Sequence, residues 1–171
     1  MAGILEPTSG EIEVRGRVSA LLELGAGFHP DLTGRENVYL NGSLLGLTRR
    51  EMKERFPDIV AFSELEEFID TPVGHYSSGM SLRLGFAVAV HTQPEVLLVD
   101  EVLAVGDASF QRRCLKTMRA FQQEGKTIVL VTHDPGLAAD FCHRALILDR
   151  GRAVAWGRVE EVLKESEPSV T

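Results

Sequence analysis

The hydrophobic and polar positions of this chain follow two different patterns. Short continuous apolar runs bounded by polar residues predict buried parallel strands at residues 96–99 and Thr127–Val131. Apolar residues three and four apart predict amphipathic helices, one of them starting after Thr48, which forms a capping-box pattern with Glu51. The predicted strands are residues 11–14, 17–22, 96–99, 127–131, 144–148 and 153–156. The predicted helices are residues 34–47, about 49–62, about 79–91, 108–124, 135–141 and 158–165.

Strands that alternate with helices indicate an α/β protein with a parallel sheet. The helical stretch from about residue 35 to 92 interrupts this alternation, which indicates an insertion between two parts of the sheet. We therefore expect one domain made of an α/β core, residues 1–34 and 93–171, and a helical subdomain, residues 35–92.

Charge and composition restrict the partners that the chain can bind directly. The 18 lysine and arginine residues are outnumbered by 25 aspartate and glutamate residues, which gives a net charge of −7. Nucleic acid and anionic membrane surfaces attract basic patches, so neither is expected as a direct partner. The two cysteines, Cys114 and Cys142, are far apart in sequence and indicate reduced thiols in a cytoplasmic protein. No uncharged apolar run approaches the roughly 20 residues of a membrane span, so if the protein works at a membrane, another subunit would have to supply the membrane domain.

Two adjacent carboxylates, Asp100 and Glu101, follow the apolar run 96–99. Ligands of open parallel sheets bind beyond the carboxyl ends of the strands, which is where this pair is expected to lie. An aspartate there can hold Mg²⁺, directly or through water, and a glutamate beside it can orient and deprotonate an attacking water. An ordinary strand end with polar residues explains the same pattern equally well.

A small polar segment, Ser77-Ser78-Gly79 with Met80 next to it, comes just before a predicted helix. A serine at the N-cap would satisfy free backbone N–H groups, and this alone accounts for the pattern. Hydroxyl and N–H groups at a helix N-terminus can also hold an anion, so these residues are candidates for an anion site.

A histidine, His133, follows the predicted strand Thr127–Val131. A lone histidine is more often structural than catalytic. At the carboxyl end of a second parallel strand, however, it is expected beside Asp100 and Glu101, where it could contact a terminal phosphate.

The order and spacing of these elements resemble the nucleotide-binding domains of ABC transporters over nearly the whole chain. Residues 77–80 match the signature motif, with Ser78 in place of the usual first glycine and Met80 in place of the usual glutamine. Further matches are Arg83 and Phe86-Ala87 (the continuation of the signature), Leu97-Leu98-Val99-Asp100-Glu101 (Walker B), Ala104-Val105-Gly106-Asp107 (the D-loop) and His133 (the switch histidine).

A closer resemblance is to the ATPase subunits that serve bacterial polysaccharide export, of O-antigen and of teichoic acid. It is carried by residues 76–80, 22–30 and 102–107. The glutamine that the family usually has in its Q-loop is absent from residues 22–30. Glu23 is the nearest polar candidate for its place.

The resemblance implies a P-loop NTPase-type parallel sheet with the ABC helical subdomain inserted, and ATP and Mg²⁺ as ligands. Two copies would pair head to tail, so that the signature residues of one copy face the ATP held by the other. Hydrolysis would drive export of a lipid-linked glycan through a separate membrane-spanning permease, at the cytoplasmic face of the inner (plasma) membrane. The implied site residues are Asp100 for Mg²⁺, Glu101 and His133 for catalysis, and Ser77, Ser78, Gly79, Met80, Asp107 and Glu23 for the nucleotide.

A phosphate-binding loop of the form Gly-x-x-x-x-Gly-Lys-Ser/Thr does not occur in these 171 residues. The tripeptide Gly125-Lys126-Thr127 is excluded, because Ala120 stands where the first glycine is needed and a strand follows. In the family the loop lies upstream of a segment like residues 2–10, so we expect a partial domain that lacks it. These 171 residues alone are expected to bind Mg-ATP weakly or not at all and to be inactive. Calorimetric titration measures this, and micromolar affinity would contradict it.

Two other classes of protein fit parts of the pattern. A non-catalytic ABC-like interaction fragment would keep the helical subdomain and dock on a membrane subunit without turnover. A serine hydrolase would use Ser77, Asp100 or Asp107, and His133, in the chain order of α/β-hydrolases. The second is weakened because His75 stands where the nucleophile elbow needs its first glycine.

Overall fold

The structure is a computed structural model that describes residues 5–21, 27–100 and 107–166, with side chains up to residue 164. The chain divides into two compact units, Met1–Val129 and Leu130–Thr171. Glu23 and Glu101 lie outside the described residues. Among the described residues, no helix combines the length and the apolar character that crossing a bilayer requires.

A three-stranded sheet forms the centre of the first unit, in the order β1-β2-β3. Its strands are β1 (Val18–Leu21), β2 (Val96–Asp100) and β3 (Thr127–Val131), which crosses the boundary between the units. β1 and β2 run parallel, with Val18 opposite Val96. The four apolar residues of β2 are all buried, as a strand covered on both faces must be. The predicted parallel α/β class is confirmed.

Two of the strand predictions were wrong, one in the strand itself and one in its burial. Residues 11–14 form no strand, and Ile12 is 53% exposed, because no neighbouring strand among the described residues pairs with them. β3 is half-buried rather than buried, and Val131 is 55% exposed. β3 is an edge strand of the described sheet, so its apolar residues are covered less completely than those of the central strand β2.

The helices of the first unit begin at side chains that satisfy their free N–H groups. Both α1 (Gly34–Leu44) and α2 (Arg49–Ser63) start with a capping box. The box at Thr48 and Glu51 confirms the sequence prediction. The remaining helical elements are a 3-10 turn (Val73–His75), α3 (Ser78–His91) and α4 (Ala108–Gln123).

The first helix ends three residues before its predicted end at residue 47. Gly46 has a φ of 82°, a left-handed conformation that glycine adopts without steric cost. Leu47 therefore leaves the helix and packs in the core between α1, α2 and α3. Other buried members of that core are Val38, Met52, Ile59, Leu84 and Val88.

The second unit contains a helix, a hairpin and a closing helix. Its elements are α5 (Pro135–Phe141), β4 (Arg144–Asp149), β5 (Arg152–Arg158) and α6 (Val159–Ser166). β4 and β5 are antiparallel, which confirms the predicted hairpin. Val159 and Val162 of α6 are buried.

Acidification is expected to destabilise the chain through its capping carboxylates. The backbone N–H of Thr33 lowers the pKa of Glu36, and the hydroxyl of Thr48 lowers the pKa of Glu51, both below the ordinary 4.5. The unfolded chain therefore binds more protons than the folded chain as the pH falls through this range, so stability decreases. Urea unfolding of the wild type and of Glu36→Gln between about pH 7 and about pH 3 measures the effect. The variant should lose less stability than the wild type on acidification, and an equal loss would contradict this assignment.

Candidate functional site

The signature residues lie at the first turn of α3. Ser77 is the N-cap, and its Oγ accepts a hydrogen bond of 3.2 Å from the N–H of Met80. Ser77 and Ser78 are exposed, while Gly79 is half-buried. A Cβ on Gly79 would meet only the Oγ of Ser77, at 3.8 Å, so the backbone of this turn is open to an approaching group. The positive end of a 14-residue helix thus faces open space, which suits an anion.

The segment before α3 is held by backbone hydrogen bonds to the loop before α1. The N–H of Val73 donates to the carbonyl oxygen of Leu32 at 2.9 Å, and the N–H of Gly74 donates to that of Pro30 at 2.8 Å. The hydroxyl of Tyr76 donates to the carbonyl oxygen of Phe68 at 2.7 Å. These bonds fix the position from which the first turn of α3 starts.

That loop is in turn organised by one buried amide, Asn37. Its Nδ2 donates to the carbonyl oxygens of His29, Leu32 and Thr33 at 3.0 to 3.1 Å. The N–H of His29 donates back to Oδ1 of Asn37 at 2.7 Å. Asn37 has no exposed surface. Asn37 was not among the residues predicted from sequence, where its one signal is that a polar residue lies on the apolar side of a predicted helix.

Replacing Asn37 by alanine is expected to cost about 3 kcal/mol, because three carbonyl oxygens and an N–H group of the loop lose their partner at a buried position. Urea unfolding of the 171-residue chain measures the loss. Asn41→Ala is the matched control, since Asn41 lies one turn further along α1 and makes fewer contacts, at 3.1 and 3.5 Å. Equal effects of the two substitutions would contradict a special role for Asn37.

The predicted metal ligand lies at the end of the central strand. Asp100 is the last residue of β2 and is half-buried. This is the carboxyl end of a parallel strand, the position at which α/β proteins bind ligands. Among the described residues, no group of three or more His, Cys, Asp or Glu side chains comes together as a metal cage.

Asp107, a predicted nucleotide contact, serves as the N-cap of α4. Its Oδ1 accepts hydrogen bonds of 2.9 Å from the N–H groups of Ser109 and Phe110, and its Oδ2 accepts one from Arg83. The hydrogen bond from the N–H of Phe110 is the main cause of a lowered pKa at Asp107.

His133 lies in the second unit, between β3 and α5. Next to it, Asp134 caps α5 by accepting from the N–H groups of Gly136 and Leu137, at 2.8 and 3.2 Å. The structure describes this turn by itself and does not define its position relative to Asp100 or Ser77.

The hydrolase alternative needs a serine on a tight turn between a strand and a helix. Ser77 instead follows the 3-10 turn Val73–His75, and its Oγ already serves as a helix cap. The local structure therefore does not provide a nucleophile elbow.

A cavity of about 120 Å³ lies in the first unit between β1, α1 and α3. Ser19 lines it, and the buried Oγ of Ser19 has no hydrogen-bond partner among the described residues. Leu44, 73% exposed, stands at its border on α1. The other lining residues include Ala20, Phe28, Asn41, Leu45 and Val88.

Comparison with solved structures defines the fold class. An ATP-binding subunit of an ABC transporter superposes with a TM-score of 0.76 at 24% identity, over 87% of this chain and 62% of that one. The described chain thus has the fold of ABC ATPase domains.

Sequence comparison then defines the family. The family model described as ABC transporter matches residues 1–104, and the chain belongs to that family. The O-antigen export system ATP-binding protein RfbB of Myxococcus xanthus is 51% identical over the whole chain, which covers 39% of that protein. Its namesake from Klebsiella pneumoniae is 48% identical over 96% of the chain, which covers 67% of that protein. The teichoic acids export ATP-binding protein TagH of Lactococcus lactis is 44% identical over 99% of the chain and 36% of its own length.

Proposed function

We propose that this chain is part of the ATP-hydrolysing subunit of a bacterial ABC exporter for lipid-linked polysaccharide, of the O-antigen or teichoic-acid type. The observation that carries the proposal is the open, serine-capped first turn of α3 in a member of the ABC transporter family. The transported substrate class rests on the relatives, which are named for O-antigen and teichoic acid export.

The described residues fit ATP and Mg²⁺. The first turn of α3 offers backbone N–H groups at a positive helix end, and the space at Gly79 lets a phosphate approach them. Mg²⁺ in such sites commonly takes one or two carboxylates together with phosphate oxygens and water, which suits a carboxylate at the end of β2 such as Asp100. When bound, the ion neutralises charge on the β- and γ-phosphates.

Each predicted site residue has one role in the proposed hydrolysis of ATP. Asp100 holds Mg²⁺, Glu101 accepts a proton from the attacking water, and His133 contacts the terminal phosphate. The remaining nucleotide contacts are Ser77, Ser78, Gly79, Met80, Asp107 and Glu23. Two copies pair head to tail, so the first turn of α3 in one copy faces the phosphates that the other copy holds.

A membrane-spanning permease is the second partner. Leu40 and Leu44 expose apolar surface on α1, 38% and 73% respectively, and Leu44 borders the cavity at Ser19. An apolar side chain from a permease segment would bury this surface. The subunit would then work as a peripheral protein at the cytoplasmic face of the inner (plasma) membrane.

A chimera with the Klebsiella pneumoniae relative tests the function. The aligned 164 residues of that relative are replaced by those of this chain, and the chimera is produced in a strain that lacks the relative. We expect ATP hydrolysis by the purified chimera and O-antigen at the cell surface.

The control is the chimera with Leu44→Asp, which should hydrolyse ATP but lose export, because a charge would be buried against the permease. A folded chimera that binds the membrane fraction without hydrolysing ATP would favour the non-catalytic interaction fragment. Hydrolysis without any O-antigen would contradict the substrate class.

A further inference from the structure

Four charged side chains from three helices meet near the start of α3. We call this group the charged junction, and its members are Glu64, Arg83, Asp107 and Arg113. Nη1 of Arg83 donates to Glu64 at 2.6 Å, while Nη2 of Arg83 donates to Asp107. Nη2 of Arg113 donates to the second oxygen of Glu64. The two arginines and two carboxylates balance in charge, and the guanidinium of Arg83 bridges the carboxylates of Glu64 and Asp107.

The two guanidinium groups of the charged junction pack against a cluster of aromatic rings. Phe62 of α2, Phe86 of α3 and Phe110 of α4 contact one another at centroid distances of 5.8 to 6.0 Å. The guanidinium of Arg83 lies 5.3 Å from the ring of Phe110, and that of Arg113 lies 5.5 Å from the ring of Phe62. The arginine side chains are only 20% and 29% exposed. This differs from an isolated surface pair, whose contribution is small because both partners remain mobile in solvent.

The backbone at Glu64 is a second, independent observation. Glu64 is the C-cap of α2 and has a φ of 56°, the left-handed conformation for which glycine is the usual residue. A glutamate at this position accepts local strain. Its carboxylate is the group that joins Arg83 of α3 to Arg113 of α4. The ion pairs that the side chain makes, rather than the geometry of the helix end, therefore explain why a glutamate occupies this position.

We propose that Glu64 and Arg83 are positioning residues, which fix the first turn of α3 relative to Asp107 at the start of α4. Arg83 lies one turn beyond the signature residues and bonds the N-cap of α4 directly. Glu64 and Arg83 act by orienting these two helix starts and not by touching a phosphate. The inference rests on the proposed ATPase function for its kinetic consequence, and on the geometry alone for its structural one.

Two substitutions at one position separate positioning from stability. Glu64→Gln keeps the strained backbone and loses the charge, whereas Glu64→Gly loses the side chain and relieves the strain. In the chimera we expect both to lower kcat by about tenfold with KM for ATP unchanged, since misplacing a group by an ångström costs up to about 10²-fold. Urea unfolding should find Glu64→Gly the more stable of the two.

Asp70→Asn is the matched control. It removes a two-bond ion pair with Arg35, at 2.6 and 3.0 Å, that joins residues of the helical segment without reaching α4. Its kcat should stay at the wild-type value. Arg83→Lys should lower kcat as well, because one ammonium group cannot replace a guanidinium that bonds two carboxylates. A kcat that follows the unfolding midpoint across these variants, or a change in KM instead of kcat, would overturn the proposal.

A structural measurement on the 171-residue chain keeps the test independent of ATP hydrolysis. Amide nitrogen–proton NMR spectra should show shifted signals for Ser78, Gly79, Ser109 and Phe110 in Glu64→Gly, and unshifted ones in Asp70→Asn. Unmoved signals in Glu64→Gly would overturn the proposal whatever the chimera does. A wild-type chimera without ATPase activity, together with shifted signals, would instead overturn the proposed function and leave the junction as a device that orients the helices.

Discussion

Replacing Phe86 by alanine is expected to lower the free energy of unfolding by about 3–5 kcal/mol. Phe86 is 2% exposed, and its ring lies 5.9 Å from that of Phe62 and 6.0 Å from that of Phe110. Removing it leaves a cavity where α2, α3 and α4 meet and takes away ring contacts beyond the lost burial. Because a domain has only about 5–15 kcal/mol of stability in total, the loss removes a large part of it.

Urea unfolding of the 171-residue chain followed by circular dichroism measures this change. Phe68→Ala is the matched control, because Phe68 is 47% exposed and loses far less burial. Phe86→Leu should fall between the wild type and Phe86→Ala, since it refills part of the space. Similar losses for Phe86→Ala and Phe68→Ala would contradict the close packing of the aromatic rings between α2, α3 and α4.

Replacing Glu101 by glutamine is expected to lower kcat of the chimera by about 10²–10⁴-fold. An amide has nearly the size of a carboxylate but cannot accept the proton of the attacking water. The preceding residue, Asp100, ends the buried strand β2, and the proposed function assigns the general base to the residue that follows it. ATP binding should persist, because Glu101 is proposed to act on the water rather than on the nucleotide.

Steady-state ATPase rates and nucleotide titration of the same preparation separate these two effects. Glu66→Gln removes an exposed carboxylate of the helical segment and should leave both unchanged. If Glu101→Gln retained the wild-type kcat, another residue would have to be the general base. A joint loss of binding and turnover would instead point to a role in holding Mg²⁺.

Local chemistry explains which elements could be predicted. The uninterrupted apolar run of β2, the box at Thr48 and Glu51, and the cap at Ser77 each depend on neighbours within a few residues. The hairpin of β4 and β5 was predicted for the same reason, from two short runs around a turn. The strand expected at residues 11–14 failed because a strand also needs a partner, which its own sequence does not specify.

Sequence by itself determined the α/β class, the start of α3 and the family, because periodicity, caps and motif spacing are written along the chain. Only the tertiary structure decided that Asn37 is buried at the centre of a loop, and that Glu64 takes a left-handed conformation and joins Arg83 to Arg113. These contacts connect residues up to 49 positions apart. Their geometry depends on how whole helices pack, and no local pattern carries that information.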